Sequence, residues 1–308
     1  MDWTASDPEY GQAYADPNPK YSVVIPAFNE ERYIGDCLRS LADQDFAGNY
    51  EVIVADNNST DSTAKIASSL GATVVEAPHI GVCPARQRGT EEARGEIVIS
   101  ADADTIYESS WLAKIDETFS RNPECVAVAG PCRFIDGPWW SAIYPKILFG
   151  TVYLVYLFTG YVFYISATNI AFRKDAWSGY NTKMTQGGDE IDLLRKLRSK
   201  GRIIFALSNP SLSSSRRLSR GLFYNLFITF GYYYLITYWV NRLAGRCLLK
   251  NAPAFRDSVV HRSPYYWLSR AAIATATILF MAFPGRPIIG FSYGYVVEPI
   301  FDAVTRLF

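Results

Sequence analysis

Two aspartates one residue apart, Asp102 and Asp104, leave the end of an apolar run in the segment EIVISADAD. Carboxylates spaced this way at a strand tip can together reach a hard divalent cation, Mg²⁺ or Mn²⁺, that also holds phosphate oxygens. A third carboxylate, Asp56, closes a second apolar run, EVIVAD, at the corresponding end. A bare pair of aspartates is more often a turn or a helix cap, but two such strand ends carrying acids point to a charged ligand lying across them.

The elements that must position these residues can be read from hydrophobic periodicity. Continuous β-branched runs at Ser22–Pro26, Glu51–Asp56, Ala72–Ala77, Glu96–Asp102 and Val126–Arg133 predict strands covered on both faces. Between them Ile34, Leu38 and Leu41, then Ile66 and Leu70, and later Trp111, Ile115 and Phe119 fall at helical spacing, and Pro84 suits the first turn of a helix running to about Ala93. Alternating strands and helices make an α/β fold with a mainly parallel sheet, and in such sheets ligands sit beyond the carboxyl ends of the strands. The residues there are Pro26-Ala27-Phe28-Asn29-Glu30, Asp56 to Ser59, Ala77 to Arg86 and Asp102 to Asp104.

Composition removes several classes. The 308 residues carry 30 Lys and Arg against 30 Asp and Glu, 49% are hydrophobic and 15% aromatic. Disorder, nucleic-acid binding through bulk positive charge and a polytopic transporter are all excluded by these values. No GxGxxG follows the first strand, where the sequence reads VIPAFNE, and no GxxxxGK[ST] occurs, which disfavours a dinucleotide-binding dehydrogenase and a P-loop NTPase. Five cysteines without a CxxC pair, and only two histidines, argue against a zinc site or a disulfide framework and suit reduced thiols. Residues 1–20 are polar and acidic and read as a loose N-terminal extension without a secretory signal.

Taken in order, YSVVIPAFNEERYIGDCLRSL, EVIVADNNSTDSTAKIA, ARQRGTEEARGEIVISADADT, ISATNIAFRKDAW and GGDEIDLLRKLRSKG resemble the successive blocks of a family 2 glycosyltransferase, inverting and of GT-A fold, over about Tyr21 to Asn209. That resemblance implies a nucleotide-diphosphate sugar donor. It matches Pro26, Phe28 and Glu30 to the first nucleotide-contacting loop, Asp56 to the carboxylate that recognises the base, Arg86 to a basic position near the diphosphate, and Asp102 with Asp104 to the metal- and donor-binding acidic motif. It also matches Asp189-Glu190 to the acidic pair that opens a helix and supplies the catalytic base. The family usually reads Glu-Asp there, and Glu190 is preferred to Asp189 as the base, with Asp192 structural. A capping role is the competing explanation for acids at a helix start.

Uncharged stretches at Ile147–Phe172 and Gly221–Asn241, and an apolar run from Ala271, are long enough to matter to a bilayer, which takes roughly 20 residues to cross. A crossing at Ile147–Phe172 would part Asp104 from Glu190, so that segment is expected to lie in the membrane plane, to re-enter or to be buried near the acceptor. The expected organisation is an extension (1–20), a GT-A domain (21–215) with an apolar insert (139–168), and a membrane-associated C-terminal region (216–308), the catalytic domain being cytoplasmic. The expected reaction is metal-dependent transfer to a lipid-linked or membrane-proximal glycan acceptor, with no nucleic-acid partner. A polyprenyl-phosphate glycosyl synthase is the nearest rival, disfavoured by Ile106 where that group carries an amide. A sugar nucleotidyltransferase lacks its glycine-rich loop here, and a non-catalytic membrane scaffold is hard to square with so many retained carboxylates.

Overall fold

In the computed structural model residues 18–182 and 189–216 are described, together with Leu218, Tyr232, Ile236, Thr237, Val240 and Asn241. The expected extension and most of the C-terminal region fall outside these residues. A seven-stranded sheet carries the molecule, and a separate three-stranded sheet accompanies it.

The first half alternates strand and helix as the periodicity predicts: β1 (Tyr21–Ala27), α1 (Ile34–Ala42), β2 (Tyr50–Asp56), α2 (Thr63–Ser69), β3 (Thr73–Glu76), α3 (Val82–Glu92) and β4 (Ile97–Ser100). Pairing among β1, β2, β3 and β4 is parallel throughout. Next come β5 (Thr105–Ile106), α4 (Trp111–Arg121), β6 (Cys125–Ala129) and β7 (Cys132–Phe134). The chain is completed by α5 (Tyr144–Thr159), β8 (Ile170–Arg173), α6 (Asp189–Arg198), β9 (Arg202–Phe205) and β10 (Ser211–Ser213). The single strand expected over Val126–Arg133 is thus two, in different sheets. Gly130 is the hinge: a Cβ there would lie 2.3 Å from the Asn209 carbonyl oxygen and 2.4 Å from the Asn169 side-chain nitrogen, so only glycine fits the turn.

Helices cover both faces. Ile34, Cys37, Leu38 and Leu41 of α1 and Trp111, Leu112, Ile115 and Phe119 of α4 are buried against Val23, Ile25, Val52, Val54, Ile97 and Ile99. On the other face Phe149 and Val152 of α5 and Leu193, Leu194 and Leu197 of α6 meet Val24, Val98, Ala127 and Phe172. Odd and even residues of β1 and β4 therefore serve opposite cores, as a strand covered on both sides requires. α3 lies so close to β1 that a Cβ on Gly89 would come within 2.5 Å of Val24. β8 returns antiparallel between β4 and β6, which brings the chain back from the apolar insert to the catalytic sheet. Cys37, Cys83, Cys125 and Cys132 are buried free thiols.

Candidate active site

Pro26 shows how the first loop begins. Pairing of β1 to β4 stops at Val24, while pairing to β2 continues to Ala27 opposite Asp56. The proline therefore falls where a strand flanks it on one side only, and its missing N–H costs the β4 ladder nothing. Beyond it the loops after β1 and β2 are laced together. Ser59 Oγ accepts from Asn29 N at 3.0 Å, Thr63 Oγ1 from Glu30 N at 2.7 Å and Asp61 from Glu31 N at 3.2 Å. In return Asn29 Oδ1 accepts from Thr60 N at 2.8 Å and Glu31 from Ser62 N at 3.1 Å. Asn29 and Asn58 take left-handed φ values of 54° and 63°, which asparagine tolerates better than most residues. Asn57 is buried and spends its side chain on Ala77 O, His79 O and Gly81 N, fixing the approach to α3. Phe28 and Asp56 are half-buried at this edge. Asp56 Oδ1 is buried without a hydrogen-bond partner, an acceptor of the kind the imide or amino hydrogen of a base can fill.

The central feature is Arg86. Sequence reasoning places it near a diphosphate; the fold buries it to 3% exposure on the inner face of α3. Its Nη2 lies 2.5 Å from Asp102 Oδ1 and its Nη1 2.7 Å from Asp189 Oδ2. Burial opposes its charge, and the two carboxylates outweigh that, so its pKa is held above the ordinary arginine value. The guanidinium thus ties the acidic strand end at Asp102 to the start of α6, 87 positions further along the sequence.

Glu190, next to Asp189, is 9% exposed. Burial raises its pKa well above the usual carboxylate range, and the neighbouring charge and hydrogen bond of Asp189 raise it further. Its Oε2 is buried with no hydrogen-bond partner. Asp192 has a different part: despite partial burial, Lys196 at 2.8 Å and Arg195 at 3.0 Å hold it below the ordinary range, so it braces α6.

Behind Asp102 and Asp104 lies a network that joins Thr168 and Asn169 of the block ISATNIAFRKDAW to Tyr107 and Trp111, a link no sequence motif shows. Tyr107 Oη donates to Thr168 O at 3.1 Å, Trp111 Nε1 to Asn169 Oδ1 at 3.0 Å, and Asn169 Nδ2 to Pro131 O and Asn209 O. It joins α4, β8 and the β6–β7 turn beneath the acidic motif. Beside it, β10 pairs antiparallel with β5 and parallel with β7. Thr105 and Ser213 share a hydroxyl contact at 2.7 Å, and Ser214 N donates to Asp104 O at 3.0 Å.

This pairing carries Arg216 onto the site. Its Nη1 and Nη2 reach Glu30 at 2.8 and 2.6 Å, its Nε lies 2.8 Å from Asp104 Oδ2, and its guanidinium sits 5.0 Å from the Tyr33 ring centre. Glu30 is nonetheless raised in pKa, since burial exceeds the help from Arg216, and Asp104 and Asp102 add to it. Arg216 lies one residue past the end expected for the GT-A domain at 215, and no sequence motif marked it. The signal it offered, an arginine pair directly after the serine-rich SLSSS, depends on a two-residue pairing with β5 that no periodicity announces.

Asp102, Asp104, Arg86, Asp189 and Glu190 line one cavity of about 150 Å³. Its opposite wall is apolar: Tyr144, Pro145, Leu148 and Phe149 of α5, with Tyr164. Asp104 and Glu190 therefore share one chamber, and the segment between them does not part them across a bilayer. Trp139–Thr159 is long and apolar enough to cross one, with 17% of its apolar window buried.

For a divalent cation the donor set is suitable but incomplete. Among the described residues no group of three or more His, Cys, Asp or Glu side chains is arranged to hold a metal. Asp102 and Asp104 supply hard oxygen ligands, the kind Mg²⁺ or Mn²⁺ takes when phosphate oxygens and water complete its shell.

The sequence profile described as glycosyl transferase family 2 matches residues 22–179, just over half of the chain. The chain belongs to glycosyl transferase family 2. Its fold is GT-A, and the structure of the mannosyltransferase PcManGT from Pyrobaculum calidifontis, in complex with GDP-Man and Mn²⁺, superposes with a TM-score of 0.59 at 20% identity, covering 94% of this chain and 80% of that one. Among curated relatives, the Staphylococcus aureus poly(ribitol-phosphate) β-N-acetylglucosaminyltransferase TarS is 36% identical over 112 residues, 33% of this chain and 20% of TarS. The Haloferax volcanii glycosyltransferase AglE is 33% identical over 109 residues, 33% of this chain and 36% of AglE. The matched stretch thus spans a fifth to about a third of these relatives' own length.

Proposed function

We propose that this chain is an inverting hexosyltransferase that moves a sugar from a nucleotide-diphosphate donor to a lipid-linked or membrane-proximal glycan acceptor, with a divalent cation. The observation that carries the reading is the two-sided cavity: four carboxylates and Arg86 on one wall, aromatic and aliphatic side chains of α5 on the other. The outward face of the same helix leaves Ile147, Leu154, Leu157 and Phe158 exposed, Phe158 to 86%. An exposed apolar face on the helix that also walls the chamber suits an amphiphilic acceptor. The names of the relatives agree with a nucleotide-sugar donor; TarS has been crystallised with UDP-GlcNAc and PcManGT with GDP-Man and Mn²⁺.

In this reading Asp56 accepts a hydrogen of the base, and Pro26 and Phe28 border the nucleoside. Glu30 and Arg86 act at the donor through the acidic motif. Asp104 and Asp102 would hold the cation, Mg²⁺ or Mn²⁺, which when bound would supply positive charge to offset that on the departing diphosphate. Glu190 is the base. Its carboxylate takes the acceptor hydroxyl proton as that oxygen forms a bond to the anomeric carbon and the bond from that carbon to the diphosphate breaks. A carboxyl pushed up by burial stands nearer the working pH, where a general base is most effective. Asp189, bonded to Arg86, stays oriented beside it. The catalytic unit of about 21–215, extended by Arg216 at Glu30 and Leu218 at the cavity, precedes a membrane-associated region, 216–308, and the unit faces the cytoplasm.

The test is transfer by purified protein from a panel of radiolabelled UDP-, GDP- and dTDP-sugars, with Mn²⁺ or EDTA, to lipid-linked saccharides. Metal-dependent label in the lipid-saccharide fraction is expected. Label appearing only in a mild-acid-labile product from bare polyprenyl phosphate, or pyrophosphate release from nucleoside triphosphate, overturns it.

A further inference from the structure

We infer that Arg216 is a built-in counter-cation that occupies the carboxylates of the metal motif until donor arrives, so that guanidinium and divalent cation exclude one another at Asp104. The inference rests on the metal reading above, and three observations carry it.

The contacts are those of a cation in its binding site. Arg216 donates to both oxygens of Glu30, and its Nε forms an ion pair with Asp104 Oδ2 at 2.8 Å without aiming an N–H at that oxygen, so one guanidinium faces two largely covered acids from two loops. The side chains of Glu30 and Asp104 are only 13% and 8% exposed. Charges withdrawn from water this far need a partner. With Arg86 committed to Asp102 and Asp189, Arg216 is the cation that the described structure gives to Asp104.

The mounting also suits displacement. Arg86 is anchored in the middle of α3, whereas Arg216 stands three residues past the end of β10, a strand of three residues held by Ser214 to Asp104 and by Ser215 N to Asp136 at 2.7 Å. Its side chain is 28% exposed against 4% for Arg86. The same tail puts Ser213, Ser214 and Leu218, on either side of Arg216 in sequence, into the cavity wall.

Finally, the metal set is incomplete without donor. Asp102 and Asp104 alone cannot supply a shell, so a free cation competes poorly with a bidentate guanidinium on Glu30 and Asp104. Donor phosphates add ligands for the cation and give the guanidinium an alternative anion. Metal and donor should then bind with positive coupling, since each favours the state in which Arg216 has left Asp104.

Binding of Mn²⁺ to the full chain, read from the free-ion EPR signal without any sugar acceptor, tests this. If the latch is closed about nine-tenths of the time, it weakens metal binding about tenfold. Arg216→Ala should therefore bind Mn²⁺ about tenfold tighter than wild type without nucleotide, and Arg216→Gln likewise if the alanine chain fails to fold. Arg216→Lys, which keeps charge but loses the fork, should fall between. Adding UDP or GDP should tighten Mn²⁺ binding more in wild type than in Arg216→Ala. Equal affinity of wild type and both neutral variants without nucleotide overturns the latch while leaving metal use intact, provided wild type binds Mn²⁺ with UDP or GDP. Absence of Mn²⁺ binding by every chain under all these conditions overturns the latch and the metal reading together.

Discussion

Around Asp56 and Glu30, amides of one loop are bonded to side chains of the next, with Asn29, Ser59, Thr60, Asp61 and Thr63 all engaged. Along α5 the side-chain hydrogen bonds are local, Thr151 and Thr159 donating to carbonyls of their own helix and Thr159 Oγ1 accepting from Tyr161 N just past its end, and Phe149 and Val152 alone of its larger aliphatic and aromatic side chains are buried. The polar side is fixed by directional bonds and paired charges; the apolar wall is held by packing and ends in an exposed apolar face. Rigid polar geometry suits a ligand whose phosphates and base must be placed to within a fraction of an ångström, because misplacement there costs rate directly. Packing that leaves one face bare suits a ligand recognised by area rather than by direction.

The sharpest way to break this contrast is Glu190→Gln. The carboxyl lines the chamber, and its amide analogue keeps shape while removing the base proposed above. Turnover should fall by about 10²–10⁴, which is roughly 2.7–5.5 kcal/mol in barrier, with donor affinity unchanged. Single-turnover rates together with donor titration check this. A variant that keeps wild-type turnover moves the base to Asp189.

Arg86→Ala attacks the other side of the comparison. Removing the guanidinium leaves Asp102 and Asp189 buried beside one another's field without compensation, and breaking a buried pair in this way costs about 3–5 kcal/mol. Urea unfolding should show that loss. Arg86→Met should lose less only if Asp102→Asn and Asp189→Asn accompany it, since the cost lies in the stranded carboxylates.

These two side chains also mark how far the sequence could be read. The strand ends bearing Asp56 and Asp102 were legible because an apolar run stopping at an acid is a local pattern, and the helical stripes of α1 and α4 fell where Ile34, Leu38, Trp111 and Ile115 placed them. Glu190 was legible through the family's motif order, not through periodicity. What stayed hidden was long-range. That Arg86 faces inward to two acids depends on α3 approaching β1 at Gly89; that Val126–Arg133 breaks into two strands depends on the Asn169 and Asn209 contacts at Gly130. Arg216 depends on β10 choosing β5 and β7 as partners. A two- or three-residue strand has no period to detect.

The bare face of α5 gives a smaller and more selective effect. Leu154, Leu157 and Phe158 are 56%, 58% and 86% exposed, so replacing all three by serine should alter unfolding stability by less than about 1 kcal/mol. If that face meets lipid or an acceptor's apolar chain, each loses part of the roughly 1.5–3 kcal/mol that full burial would supply, and co-sedimentation with phosphatidylglycerol vesicles should fall at least about tenfold. Donor binding should be untouched. Unchanged sedimentation would assign this face to something other than a bilayer.

The gentlest probe compares the walls through pH. Glu190 is raised in pKa by burial first and by Asp189 second, so the folded protein holds a proton that the unfolded chain releases near the ordinary glutamate value of about 4.3. Between that value and the folded pKa the native state binds more protons than the unfolded one, and stability falls as pH rises. The contribution is fully present below about pH 4.3 and is lost through the folded pKa, at no more than about 1.4 kcal/mol per pH unit. Glutamine at 190 cannot release that proton. Melting temperatures of wild type and Glu190→Gln, followed from pH 5 to 8, should therefore separate with rising pH in favour of the glutamine variant, until Glu190 ionises in the folded state. Serine substitution at Leu154, Leu157 and Phe158 should leave that divergence unaltered, because the α5 surface carries no group that titrates there; a divergence that vanished with it would mean the two walls are coupled through the chamber rather than built independently.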